Sequence, residues 1–250
     1  MSKVNEKIYK LDLVSTLASG TSSNFWTSFV PSLNFSGECE VALYSISLWN
    51  SLKNISDNLG NRTLRFSIDG TNFITTSIPE GIYTIEQLNL AVQTLIVSNG
   101  GVSNKILLNP NYSTLKTDIA IISPYKLDLT VGNLRNLIGY NSVILSAGNN
   151  IATNLTDISN GVVSYSVNSN IVSSESSFLN GVASQSLFVF VPNAGVGELI
   201  QIQPNNLLWV KMSGRSVTRL NILLTDQDGR QLVDLSSEAV RVTLVIKEKL

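Results

Sequence analysis

The chain contains no histidine. Imidazole is the commonest general base, the commonest zinc ligand and the usual partner of a Ser or Cys nucleophile. Its absence therefore removes most hydrolase and metalloenzyme designs. There is one cysteine, Cys39. A lone Cys in an apolar run reads as a small buried hydrophobe, and no disulfide framework can form within the chain. Such a chain suits a reducing compartment, cytoplasm or nucleus. Charge is scarce as well: 14% of the 250 residues are Asp, Glu, Lys or Arg, against about one quarter in ordinary domains. The net charge is -1, so no strong nucleic-acid signal is present and no attraction to anionic lipid is expected. No apolar run reaches the about 18 residues of a membrane span. The first thirteen residues, MSKVNEKIYKLDL, carry charged and polar side chains where a signal peptide needs an apolar stretch. Neither a span nor an export signal is expected, and nothing in the composition calls for a cofactor or a metal.

What is present is β patterning. Hydrophobic residues make up 43% of the chain, enough to fill the core of one large β domain or two small ones. Ser, Thr and Asn supply the polarity. A surface so poor in charge is a poor colloid alone and suits one covered by neighbouring subunits. The C-terminal stretch shows the pattern most clearly. Leu220, Ile222 and Leu224 alternate with polar or outward positions, as do Val240, Val242, Leu244 and Ile246. Period two is what a half-buried strand requires. Asp226-Gln227-Asp228-Gly229 lies between them and reads as the turn of a closing hairpin. The same four residues could open a calcium loop. That loop needs further oxygen ligands, and Arg230 and Gln231 follow instead, so the plain turn is favoured.

Earlier in the chain, Ile8–Val14 reads as an edge strand, Asn24–Val30 as a short aromatic one and Glu38–Trp49 as a strong one. In the last, Val41, Leu43 and Ser45 fall on one face, and Ala42, Tyr44, Ile46 and Leu48 on the other. Leu64–Ile68 and Phe73–Ile78 form a hairpin about Asp69-Gly70. One helix is predicted, Thr84 to about Val97. Thr84 and Gln87 make a capping box, and Ile85, Leu88, Val92, Leu95 and Ile96 form an apolar stripe. This stripe reads as a face laid on the sandwich rather than a partner site. Beyond Lys105, short strands and turns alternate, with an Asn- and Ser-rich middle and a fully apolar strand at Leu187–Val191. The expected class is all-β: a jelly-roll β-sandwich, one or two β domains, with one packed helix near 84–97. The best seam falls after the helix, separating residues 1–104, an N-terminal β region with hairpin and helix, from 105–250, a C-terminal jelly-roll region.

No catalytic constellation emerges. Glu38 and Glu40 share a strand face, as two acids of a glycosidase would, but read as a solvated strand edge. Gly195-Val196-Gly197 is too short to cradle a phosphate. The aromatic and basic residues nominated for interfaces are Trp26, Trp49, Arg62, Arg215 and Arg219. Trp residues beside strong apolar runs belong to core or interface more often than to a sugar platform. Arginines scattered at strand starts usually make rim contacts.

Taken end to end, several stretches resemble one family. They are Leu33-Asn34-Phe35-Ser36-Gly37-Glu38 running to Val41-Ala42-Leu43 with Trp49 and Asn54-Ile55, Ile78-Pro79-Glu80-Gly81-Ile82-Tyr83-Thr84-Ile85, Leu137-Ile138-Gly139-Tyr140-Asn141, and Leu224–Gly229 with Val242-Thr243-Leu244. In this order they are similar to the jelly-roll capsid proteins, of penton or minor-capsid type, of Polinton, adintovirus and virophage-like DNA viruses. The resemblance implies a viral structural protein with no enzymatic activity. It implies residence in the virion after assembly in the host cytoplasm or nucleus, and partners that are copies of itself and other capsid proteins. A penton-like vertex protein, assembling as a pentamer, suits one jelly roll plus an insertion. A trimeric double-jelly-roll capsomer and a host-attachment spike base are the alternatives within the family. A carbohydrate-binding β-sandwich module is the competing class.

Overall fold

The computed structural model describes residues 6–159, 162–179, 181–195, 197–233, 235 and 237–250. Four strands come first: β1 (Glu6–Val14), β2 (Ser19–Gly20), β3 (Asn24–Asn34) and β4 (Glu38–Trp49). Next are β5 (Thr63–Ser67), β6 (Phe73–Ser77), helix α1 (Ile85–Ser98), β7 (Ile106–Asn111), β8 (Lys116–Ile121), β9 (Lys126–Asp128), the short helix α2 (Leu134–Leu137), β10 (Ile144–Leu145) and β11 (Gly148–Ile151). The chain ends with β12 (Tyr165–Ser169), the pair β13 (Phe178–Leu179) and β14 (Val182–Ala183), β15 (Ser186–Phe190), β16 (Leu199–Ile202), β17 (Val210–Lys211), β18 (Ser216–Asp226) and β19 (Arg241–Lys249).

Two compact units result: one from the residues up to Leu52 together with those from Val162 onward, the other from Lys53 to Gly161. This differs from a seam at 104/105, which falls inside the second unit. Among the described residues the first unit has two large sheets, ordered β1-β19-β4-β16 and β15-β12-β18-β3-β2, with β17 also pairing β4, and the small β13–β14 pair. β19 occupies one side of Glu40 and Val41, so β17 lies on the other, in line with β16, and the two act as one interrupted strand. Eight strand positions remain along the chain: β1, β3, β4, β12, β15, β16/β17, β18 and β19. First pairs last, second pairs seventh, third pairs sixth and fourth pairs fifth, all antiparallel. This nested pairing is the topology of a jelly roll. Its core draws on both sheets: Val41, Leu43, Ile46, Leu48, Val242 and Leu244 from one, Phe25, Val167, Leu187, Leu220 and Ile222 from the other.

Two expectations need correction here. β18 and β19 do not form a hairpin. They lie in different sheets, β18 between β3 and β12 and β19 between β1 and β4. The Asp226–Gly229 turn does form, but its closure ends at the Thr225–Gln231 bridge. Each strand then finds its partners far away in sequence, where its apolar face can be covered. The faces of β4 also switch partway. Thr243 is paired with Ser45 and Leu244 with Leu43, leaving Tyr44 as the extra residue of a β-bulge. Ile46 and Leu48 thereby join Val41 and Leu43 in the core.

The second unit interrupts the jelly roll in sequence between its third and fourth positions. It has a four-stranded sheet, β10-β9-β5-β6, and a three-stranded one, β11-β8-β7. The expected hairpin is β5–β6. Helix α1 is capped as anticipated: Gln87 N donates to Thr84 Oγ1, and Thr84 N donates to Gln87 Oε1. Its Ile85, Leu88, Val92 and Ile96 are buried. The helix packs on β7, where Leu108 N donates to Asn89 Oδ1 at 3.0 Å. Phe66, Leu88, Ile106, Ile119 and Leu127 belong to a core of this unit's own.

One corner ties the last strand to the turn between β3 and β4. Glu248 is almost fully buried. Its carboxylate accepts from Ser36 N at 2.6 Å, Ser36 Oγ at 2.8 Å, Gly37 N at 3.0 Å and the Tyr9 hydroxyl at 2.7 Å. Those donors, Tyr9 foremost, lower its pKa from 4.5 to about 2. A depressed carboxylate stabilises the fold above its unfolded pKa, and that stability is lost as pH falls from about 4.5 toward 2. Glu248→Gln is therefore expected to melt below the parent protein by a margin that is widest above pH 4.5 and shrinks toward pH 2. Thermal melts across that range would show it. A margin independent of pH would contradict the role of the charge.

Candidate functional site

The nominated residues do not converge on one pocket. Trp26 lies on β3 with the Arg219 guanidinium 4.2 Å from its ring centroid. The pair is brought together because Trp26 faces Asn221 and Arg219 faces Ser28 across the β3–β18 ladder. A cation stacked this way is worth about 1 kcal/mol, and it leaves the indole face covered. Around the pair, the outer surface of this sheet is an uncharged polar lattice. Asn168 Nδ2 donates to Leu223 O and Thr225 Oγ1, Asn221 Nδ2 donates to Asn24 Oδ1, and Asn221 N donates to Asn170 Oδ1. Amide side chains that both donate and accept satisfy one another along the ladder without charge. Nothing in the local sequence marks this lattice, because its members sit on three strands distant in the chain.

At the margin of that sheet, β15 is paired on one side only among the described residues, by β12. Its Val189 is 54% exposed and Val191, just beyond it, 67%. Phe178 and Val182 of the β13–β14 pair are also exposed. By contrast, the edge strand β1 carries Glu6, Lys7, Lys10 and Asp12, the charges that usually guard an edge. An apolar, unguarded edge is one that another chain can cover.

The other nominated residues are scattered. Trp49 ends β4, facing Leu199, and is 43% exposed. Arg215 reaches the Ser36 carbonyl at 3.5 Å. Arg62 belongs to the second unit and is held by Asp57 at 2.6 Å and by the Ile78 carbonyl. It is a local brace. Glu40 is bound by Lys247 and Lys249, each at 2.9 Å, which lowers its pKa and makes it part of a surface ladder. In the Asp-x-Asp-Gly turn, Arg230 stands where a cation would. Its Nε donates to Asp226 Oδ2 at 2.8 Å and its Nη2 to Asp228 Oδ2 at 2.7 Å. Cys39 is buried, and burial raises its thiol pKa, so the reactive thiolate is disfavoured. Tyr165 is pushed up to about 12 by burial. Among the described residues no group of acidic or sulfur side chains is placed to hold a metal, and no helix is long and apolar enough to cross a membrane.

No protein-family model matches the chain, and no curated protein matches it. Among solved structures it is similar to the crystal structure of the mavirus penton protein, at 10% sequence identity and a TM-score of 0.48, covering 98% of this chain and 100% of that one.

Proposed function

We propose that this chain is a structural subunit of a viral capsid, a penton-like vertex protein that assembles with copies of itself, five in number, and with other capsid proteins of the virion. The observation that carries the reading is the nested eight-strand pairing of the first unit. Jelly rolls of this kind serve capsids, lectins and cupins. Histidine-ligated metal chemistry is foreclosed by the composition. A platform of several coplanar aromatics is not built from Trp26 and Trp209, which lie under Arg219 and Lys247. The first unit offers a largely uncharged polar face and an apolar edge, which suits burial between symmetry mates. The sequence resemblance to virophage-type capsid proteins points the same way. The role is structural, not catalytic.

Two substitutions test it. Trp49→Ala and Val189→Lys are each expected to weaken self-association about thirtyfold, the loss of an interface anchor or an interrupted edge contact. Val189→Lys, on the exposed edge, should shift folding stability by no more than about 0.5 kcal/mol, whereas Trp49→Ala also loses half-buried packing, about 1–2 kcal/mol. Sedimentation velocity over a concentration series, with thermal melts alongside, makes the measurement. Undiminished oligomers in both variants would refute the assignment of these surfaces.

A further inference from the structure

The opposite sheet carries a second feature that assembly does not explain. The outer surface of β1, β19, β4 and β16 holds a polar cleft of about 360 Å³. Two cross-strand rows build its floor. In one, Arg241 faces Ser47, which faces Gln201; in the other, Asp12 faces Thr243, which faces Ser45. The bulge sets Tyr44 beside these rows, 39% exposed and also lining the cleft. A bulge re-aims a side chain out of the alternation, and here it takes an aromatic ring out of the core and gives it to the outer face.

The charges are unevenly matched. Lys10 and Arg241 both line the cleft, and both lean on the single carboxylate of Asp12, at 3.6 and 3.7 Å. That carboxylate is already engaged by the Thr243 hydroxyl at 2.5 Å. Two cations against one carboxylate leave a local charge of one positive unit on a protein whose net charge is -1. Gln201 and Gln203 add amides that both donate and accept, and Ser45 and Ser47 add hydroxyls.

The geometry points to a binding site for an anionic sugar, a pyranose ring bearing a carboxylate. Lys10 Nζ stands 5.7 Å from the Tyr44 ring centroid, so the sugar's carboxylate meets Lys10 and Arg241 beside that ring, its apolar ring face packs along the part of Tyr44 left exposed, and its hydroxyls exchange hydrogen bonds with the glutamines and serines. Neutral hydroxyl-rich ligands would leave the two cations underused, and a bare anion would leave Tyr44 and the amides unused. The site is independent of the assembly reading, since it asks only that this face be open on the protein in solution.

The test is titration of the 250-residue chain with D-glucuronate, D-glucose and acetate, followed by saturation-transfer NMR and calorimetry. Glucuronate is expected to bind about tenfold or more tightly than either control, the worth of one charge-assisted hydrogen-bonded pair. Arg241→Gln should reduce glucuronate to the level of glucose, and Tyr44→Ala should weaken it about tenfold. Should Tyr44→Ala perturb melting, Gln203→Ala, another lining residue, replaces it. Equal response to acetate, equal response to glucose, no response at all, or indifference to Arg241→Gln would each overturn the site.

Discussion

Gly37→Ala is expected to lower the melting temperature by about 10 °C, corresponding to about 3 kcal/mol of overpacking for a chain of this size. Gly37 lies in the turn between β3 and β4. A Cβ added there would stand 1.8 Å from the Lys249 carbonyl oxygen and 2.9 Å from its carbon. Both are backbone atoms of β19's last residue, so no rotamer change relieves the clash. Either the turn or the end of the closing strand has to move. Movement would also break the bonds from Ser36 N and Gly37 N to Glu248, so a glycine with no side chain and a buried carboxylate serve one junction. Circular-dichroism melts of the two proteins make the comparison. An unchanged melting temperature would mean that the last strand does not close the sandwich at this corner.

The second large effect separates the two units. Phe25 is fully buried in the jelly-roll core and Phe66 in the core of the inserted unit. Truncating either to Ala should cost about 4 kcal/mol, from lost transfer energy and a residual cavity. Because each ring belongs to a different core, the damage should stay local. In native-state hydrogen exchange, Phe25→Ala is expected to speed exchange first in β3, β18 and β12, and Phe66→Ala first in β5, β6 and β9, where its strand pairs. Uniform acceleration over both units by either variant would show that the chain opens as a single body and that its division at 52/53 and 161/162 has no energetic meaning.

Local order was legible because its causes are local. The alternation of Leu220, Ile222 and Leu224 in β18, the Asp69-Gly70 hairpin and the Thr84–Gln87 capping box each lie within a few residues, and each recurs in the structure. The jelly-roll class followed from many short strands around one helix. Pairing was not legible. β1 meets β19 across nearly the whole chain, and no residue pattern announces a partner that far away. That is why Asp226–Gly229, a true turn, suggested a hairpin that the sheets do not form. The unit boundaries were missed for a related reason. Asn99-Gly100-Gly101 stops a helix, which looks like a seam, while the actual junctions sit in Asn- and Ser-rich loops of ordinary composition. The Tyr44 bulge escaped because one extra residue inverts a strand's faces without changing its composition. Of the nominated surface residues, Trp26 and Arg219 proved to be partners. Arg62 was taken by acids of its own unit, Asp57 and Glu80, which the spacing of charges did not disclose.

The native mass of the purified 250-residue protein, measured over a range of concentrations and followed by negative-stain imaging of the main species, bears most directly on the capsid assignment. Five copies of the 27.1 kDa chain in a ring with five-fold symmetry are the expected result. Three-fold particles would contradict the vertex role and move the protein to a capsomer or spike base. A monomer at every concentration, with no change in mass when other capsid proteins are added, would contradict the capsid assignment itself.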